Sequence, residues 1–467
     1  MKNKFVGLLK NLSYSITANG LSLLISVFMI LIVTKKFGVE EYGYYQLYTF
    51  YVSYAGFFTF GWVDGIYLRY GGKNYEDLDR SLFVSQFWLM LFIEIIFSIL
   101  IVFWGSTLYS VDKKFIIIMF AINIIILSVR GIFVYVFQST NKIREFAILT
   151  YIEKLVFLFV TILVIFLKIN RYEFLVFGDL LGKFLSFIYC IVVSRDFVFG
   201  KQASGLVVKK EIYKNVTAGA KLLMANIASM LIIGIVRYLI ELNWSIEVFG
   251  KVSFSMNLSN MIIIFINAIG IVLFPMLRKV DDSQLKKIYT YLSAGLMSML
   301  FIILLFYYPM KVVLSMWLPH YKDSLDYLAL LFPICLFESK MSLLINTFLK
   351  VLRKENLLLL INFISVFISA ILSVVSVLIF KNIELSILTI TIVLGFRCLL
   401  AEIIISKLFN IKVFNNFIFE ALLVIVFVFT GWYIDNFLST LIYLVFLLIY
   451  LYSKKKTLIE LFRYVKR

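Results

Sequence analysis

The chain has 467 residues, 62% hydrophobic and 15% charged, with a net charge of +18 and a mean hydropathy of +0.99. That is too little charge to coat a soluble body of this length. Apolar runs long enough to cross a bilayer recur from end to end, so the expected class is an all-α polytopic membrane protein. The cations are scattered through short loops rather than gathered on one domain, which argues against a nucleic acid partner.

In chain order, about 14 transmembrane helices are predicted: 12–34, 41–63, 81–104, 114–137, 146–168, 173–194, 215–239, 249–277, 286–309, 325–348, 356–380, 384–406, 417–433 and 437–452. No small-residue cleavage pattern follows the first, which reads as a retained span. The grouping expected is an N-terminal six-helix lobe (1–194), a cytoplasmic basic linker (195–214), a C-terminal six-helix lobe (215–406), and two extra helices with a basic tail (407–467). The N-terminus with Lys2, Lys4 and Lys10, the even-numbered loops and the tail SKKKTLIELFRYVKR hold 28 of the 45 Lys and Arg once Lys286 and Lys287 at the edge of the ninth span are included, and the odd-numbered loops hold 9 with the span-edge residues Lys114 and Lys168. Cationic loops stay on the cytoplasmic side, so both termini are expected there, in the cell inner membrane. The chain has no GxxxxGK[ST], HExxH or GxSxG, and no loop is long enough to hold a nucleotide site.

Two loops repeat. FGVEEYGYYQL (37–47) precedes the second span and WSIEVFGKVSF (244–254) the eighth. Glu40, Tyr42 and Gly43 match Glu247, Phe249 and Gly250, and GIYLR (65–69) resembles GIVLFPMLR (270–278). Six spans per half, starting on the same side, suggest parallel repeats about an axis along the membrane normal. That arrangement suits alternating access.

A charge at mid-bilayer costs about 2.5–3.5 kcal/mol on insertion scales, yet Arg130 sits inside NIIILSVRGIFVYVFQ. Asp179 and Lys183, four apart on one helix face, are expected to pair. Lys221, Arg237 and Lys251 lie near span ends, where they can reach the interface. Arg130, Lys154, Lys340 and Arg397 lie too deep for that. Glu153 and Glu338 stand one and two residues from Lys154 and Lys340, which is poor spacing for pairing, so these four cations are expected to face a wet cavity. Such a cavity selects an anion, and guanidinium forks suit phosphate. The bland alternative is that each pairs with an acid on a neighbouring helix and only fixes packing. Glu94, Glu153, Glu338 and Glu402 are the candidate ion-coupling acids. In EYGYYQLYTFYVSYAGFF, Tyr48, Tyr51 and Tyr54 lie deep enough to need partners and are candidate sugar contacts, with core packing as their ordinary role. Asn19, Asn257, Asn260 and Asn267 add polar groups to spans one and eight. His320 is the lone histidine, so no metal site or histidine triad is expected, and Cys190, Cys335 and Cys398 read as packing residues.

TKKFGVEEYGYYQLYTF followed by FFTFGWVDGIYLRYGGK resembles the O-antigen and polysaccharide flippases of the multidrug/oligosaccharidyl-lipid/polysaccharide exporter superfamily. The resemblance is carried by about the first 80 residues, within which Gly43, Gly61 and Arg69 match the family's loose consensus. It implies two six-helix lobes in a V around a cationic cavity. The implied activity is transfer of an undecaprenyl-diphosphate-linked oligosaccharide, an O-antigen or capsule repeat unit, to the outer leaflet. The implied partners are that lipid-linked oligosaccharide, membrane lipid, a coupling ion (H+ or Na+), and a polysaccharide polymerase with its chain-length regulator. No cofactor is implied. Related peptidoglycan-precursor flippases carry arginines early in their first two spans. Span one has none here and span two none before Arg69, so those residues are not carried over. The rivals are a drug/cation antiporter of the same superfamily, whose cavity should be acidic, and a membrane polysaccharide polymerase, which needs a large outer loop. On the flippase reading, alanine at Arg130 and Arg397 abolishes surface polymer while protein level stays unchanged.

Overall fold

The computed structural model describes residues 17, 20–108, 110–277, 282–411, 414–434 and 436–465. Lys2, Lys4, Lys10, Asn19 and Arg278 lie outside them. Every regular element among the described residues is helical. The helices are α1 (Gly20–Thr59), α2 (Trp62–Tyr70), α3 (Arg80–Ser106), α4 (Val111–Ser139), α5 (Ile143–Phe166), α6 (Tyr172–Val193), α7 (Gly205–Asn243), α8 (Ile246–Leu277), α9 (Asp282–Leu305), α10 (Tyr307–Trp317), α11 (Lys322–Leu331), α12 (Ile334–Val351), α13 (Glu355–Ile379), α14 (Ile383–Phe409), α15 (Phe414–Tyr433) and α16 (Phe437–Val465).

Polar residues start several of them. The Asp79 carboxylate accepts from Ser81 N at 3.0 Å to cap α3, and Asn382 Oδ1 accepts from Leu385 N at 2.8 Å to cap α14. Each bond satisfies one backbone donor that a helix start leaves without a partner.

Among the described residues, 11 helices can by length and composition cross a membrane, or up to 12 if the pair Pro319–Leu331 and Ile334–Val351, bent by 46°, is one span. The expected count of 14 is not confirmed by these helices. Most of spans one and two falls in the single run α1, whose Thr34–Ser53 stretch leaves helical geometry at Gly38, φ 77° and ψ 175°. That left-handed φ is one that glycine adopts without strain. Span eight falls within the 32-residue α8, and span ten is the bent pair, broken before Pro333. Half of the expected linker is helix as well, since α7 begins at Gly205 and runs 39 residues.

The chain forms two compact units, Met1–Ile227 and Ala228–Arg467, and the division falls within α7 rather than in the 195–214 segment. Unit 1 has a core of Trp62, Ile66, Phe83, Phe87, Phe133 and Phe137, with Phe197 stacked on Phe83 at 4.8 Å. In unit 2, α15 and α16 are part of the core rather than an appendage. Phe427 lies edge-on to Tyr307 at 5.3 Å and Tyr443 at 5.4 Å, and the Tyr443 hydroxyl donates to Phe301 O at 2.9 Å. Cys190, Cys335 and Cys398 are buried free thiols, as packing residues should be.

Helices inside a bilayer gain little from hydrophobic exclusion and depend on close approach and hydrogen bonds. Unit 1 shows both where α2 crosses α7. A Cβ on Gly65 would lie 1.8 Å from Asn215 O, and one on Gly219 2.0 Å from Gly61 O. Backbone oxygens cannot rotate away. Gly65→Ala and Gly219→Ala are each expected to cost about 1–3 kcal/mol through overpacking. Gly20→Ala, with nothing within 4 Å of its Cβ, is the neutral control. Thermal unfolding followed by size-exclusion fluorescence separates the three, and equal melting for all would contradict the close crossing.

Candidate functional site

Each unit holds a network of buried ionisable groups. In unit 1, α4 supplies Arg130, α5 supplies Glu153 and Lys154, and α6 supplies Asp179, Lys183 and Ser186. The α5–α6 approach is close because Gly182 lies against the Glu153 backbone, where a Cβ would come within 2.6 Å of its carbonyl oxygen. Arg130 Nη1 is 2.6 Å from Glu153 Oε2 and also donates to Ser186 Oγ at 2.9 Å. Lys154 Nζ is 3.4 Å from Glu153 Oε1. Lys183 pairs with Asp179 at 2.5 Å, as the i,i+4 spacing predicts. The Tyr48 hydroxyl donates to Asp179 Oδ2 at 2.6 Å and accepts from Asn123 Nδ2 at 2.8 Å. Three cations face two carboxylates, leaving one positive charge over. The most open member is Lys154, whose side chain is 33% exposed against 14% for Arg130.

In unit 2, Arg397 on α14 is 1% exposed. Its Nη1 donates to Glu338 Oε1 on α12 at 2.8 Å, its Nε to Asn362 Oδ1 on α13 at 3.0 Å, and its Nη2 to Ser229 Oγ on α7 at 2.9 Å. Two residues beyond Glu338, a π-turn runs from Lys340 to Ile345. Lys340 turns to a different pair of acids. It contacts Glu402 on α14, and its Nζ lies 2.6 Å from Glu420 Oε2 on α15. Here two cations face three carboxylates.

These pairs correct the expectation of unpaired cations. Arg130, Lys154, Lys340 and Arg397 each contact a carboxylate, and Glu153, Glu338 and Glu402, expected as coupling acids, are those partners. The physical reason is the cost of an uncompensated charge in a low dielectric. Glu420, the acid absent from the earlier count, stands just inside the short thirteenth span, where it reads as a span-end residue. Glu94 differs from the others. It is 1% exposed, Ser128 lies beside it, and its Oε2 has no hydrogen-bond partner among the described residues.

The tyrosine face is corrected too. Tyr48 is fully buried and committed to Asp179, so it offers no surface to a sugar. Tyr51 and Tyr54 are half-buried. Tyr51 packs against Phe50 and Phe120 at 5.6 and 6.0 Å, and Tyr54 lies edge-on to Phe50 and Phe57 at 5.2 Å.

The polysaccharide biosynthesis protein family model matches residues 8–281, more than half of the chain. The chain belongs to this family. No curated protein matches it in sequence. Among solved structures it is similar to the lipid II flippase MurJ in an inward closed conformation. The TM-score is 0.59 at 14% identity, over 95% of this chain and 99% of that one. It is also similar to an inward-facing multidrug resistance MATE family transporter of the MOP superfamily, with a TM-score of 0.57 at 11% identity over 87% and 95% of the two chains. A MOP superfamily transporter from Pyrococcus furiosus matches with a TM-score of 0.51 at 9% identity over 87% and 95%. The fold is thus of the MOP transporter type, and this member of the polysaccharide biosynthesis family is a multi-pass membrane protein.

The family-like motif residues have structural work in unit 1. Gly61 lies at the tight α2–α7 crossing with φ 81°. Arg69 pairs with Glu211 Oε1 at 2.7 Å and donates to Asn215 Oδ1. Asn215 Nδ2 and Trp62 Nε1 both donate to Gln86 Oε1 at 2.8 Å. Sequence reasoning named Gly61 and Arg69 and missed Glu211, Asn215 and Gln86, their partners far along the chain.

Removing one member of a buried pair leaves the other uncompensated, at a cost of about 3–5 kcal/mol. Arg130→Ala and Arg397→Ala are therefore expected to lower the amount of folded protein, against the unchanged level anticipated from sequence. Glu94→Gln, which strips no cation of a partner, should stay near wild type. Quantitative immunoblotting of membranes and a thermal melt check all three.

Proposed function

We propose that this protein is a flippase for a lipid-linked oligosaccharide, working by alternating access and driven by an ion gradient. The cargo on this reading is an undecaprenyl-diphosphate-linked O-antigen or capsule repeat unit, passed across the cytoplasmic membrane with both termini of the protein cytoplasmic. Membership of the polysaccharide biosynthesis family supports the glycan class. The MOP-type fold supports transport rather than catalysis.

The observation that carries the anionic cargo is the surplus cation of the unit 1 network. Lys154 is its most open member, and its own carboxylate partner is shared with Arg130 at the shorter distance. An ammonium held this loosely can exchange its 3.4 Å contact for a phosphate oxygen without stranding Glu153, which Arg130 continues to neutralise. In this reading Lys154 receives the diphosphate and Arg130 positions it through the shared Glu153. Tyr51 and Tyr54 remain the proposed sugar contacts, and the polyprenyl tail stays in lipid. The acidic surplus of the unit 2 network is the one feature that favours a drug/cation antiporter instead, and drug resistance on overexpression would support that rival.

Reversing the charge at Lys154 tests the reading without removing a buried pair. Lys154→Glu should reduce surface polymer roughly tenfold, about 1.4 kcal/mol, at unchanged protein level, while Lys154→Arg retains export. Full export by Lys154→Glu in a strain lacking the native copy would refute the cargo contact.

A further inference from the structure

We propose that Glu402, Lys340 and Glu420 form a proton-exchange site in unit 2, loaded through a polar cavity that reaches Glu420. The inference rests on the gradient-coupled reading above and names the ion and its seat.

Two carboxylates share one ammonium here, and all three side chains are at least nine-tenths buried, at 1% exposure for Lys340, 2% for Glu402 and 6% for Glu420. With every group ionised the trio carries one negative charge in a low-dielectric interior, which one more proton neutralises. The atom free to take it is Glu402 Oε2, which is buried and has no hydrogen-bond partner among the described residues. The Tyr289 hydroxyl, also buried and without a hydrogen-bond partner among the described residues, belongs to a side chain that faces Glu402 and Lys340. The other groups facing the trio are Cys398 on α14 and Tyr450 and Lys454 on α16. Lys454 sits at the cavity, where its Nζ donates to Asn416 Oδ1 at 2.5 Å, and among the described residues it forms no ion pair with either carboxylate.

The cavity, about 360 Å³, is lined by Tyr289, Ser293, Asn416, Glu420 and Lys454, among others. Its lining includes Glu420 but not Glu402, so a proton enters at Glu420 and is held at Glu402. The transfer balances. The Lys340 ammonium gives a proton to the Glu402 carboxylate and takes the one that Glu420 accepted from a hydronium ion in the cavity, which is left as water. Lys340 ends as an ammonium, Glu420 as a carboxylate and Glu402 as a neutral acid. The π-turn at Lys340 fits this role, since such turns gather at functional sites.

A sodium ion fits less well. Hard cations want several oxygens around them, and the ammonium already occupies the space between these carboxylates. Among the described residues no group of three or more His, Cys, Asp or Glu side chains could hold a metal ion.

Dicyclohexylcarbodiimide labels protonated carboxyls in apolar surroundings and needs no cargo. On the purified wild-type protein, mass spectrometry should find an adduct on the peptide carrying Glu402. The adduct should fall roughly tenfold for each pH unit above the midpoint and be indifferent to added sodium. Protection by sodium at constant pH would assign the seat to that ion and overturn the proton assignment, as would an adduct that is absent or unchanged with pH. In everted vesicles Glu402→Gln should lose the pH-gradient dependence of transport, and a variant still collapsed by a protonophore would also overturn the site. If wild-type transport ignores the protonophore while the Glu402 adduct titrates, the gradient-driven reading fails and the proton site stands.

Discussion

A charge inside a bilayer has to be neutralised by another charge, and that constraint organises this molecule. Arg130 with Glu153, Arg397 with Glu338 and Lys340 with Glu402 and Glu420 each join different helices, so each pair is also a tertiary fastener. Lipid offers nothing in exchange for these contacts. Around Arg397 the fastening is most complete, since one guanidinium gathers groups from α7, α12 and α13 at once.

Such pairing needs the backbones to come near enough for short carboxylates to reach. Glycine supplies that reach at Gly182 beside Glu153, and at Gly61, Gly65 and Gly219 where α2 meets α7. The small-residue contacts and the ion pairs therefore depend on each other. With larger residues the helices would stand apart and the cations would lose their acids. Counted over their ion pairs alone, the unit 1 network is left one charge positive and the unit 2 network one charge negative, with Lys454 standing close to the latter.

The helical class and most spans were legible because long apolar runs have few other uses. The loop predicted at 35–40 coincides with the Gly38 break, and the i,i+4 pair Asp179–Lys183 was readable from spacing alone. Partners on other helices were not. Arg130 and Glu153 are 23 residues apart and Lys340 and Glu420 are 80 apart, separations that carry no periodic signal. Adjacency in sequence misled as well. Glu153 and Lys154 are poorly spaced for pairing, yet their side chains approach to 3.4 Å, whereas Glu338 and Lys340 part company at the start of a π-turn, as their spacing implies. Tyr48 looked like a ligand surface because a buried phenol needs a partner, and that partner proved to be Asp179.

Among the described residues, three π-turns, Met29–Val33, Lys340–Ile345 and Val375–Ile379, interrupt long helical runs. A π-turn is what an α-helix becomes when it accommodates one surplus residue without rotating the segments on either side. The chain can therefore shed a single amino acid at these places while the flanking side chains keep their facing. Length drift that would scramble an ordinary transmembrane helix is absorbed there, inside the membrane, rather than being pushed out to the loops.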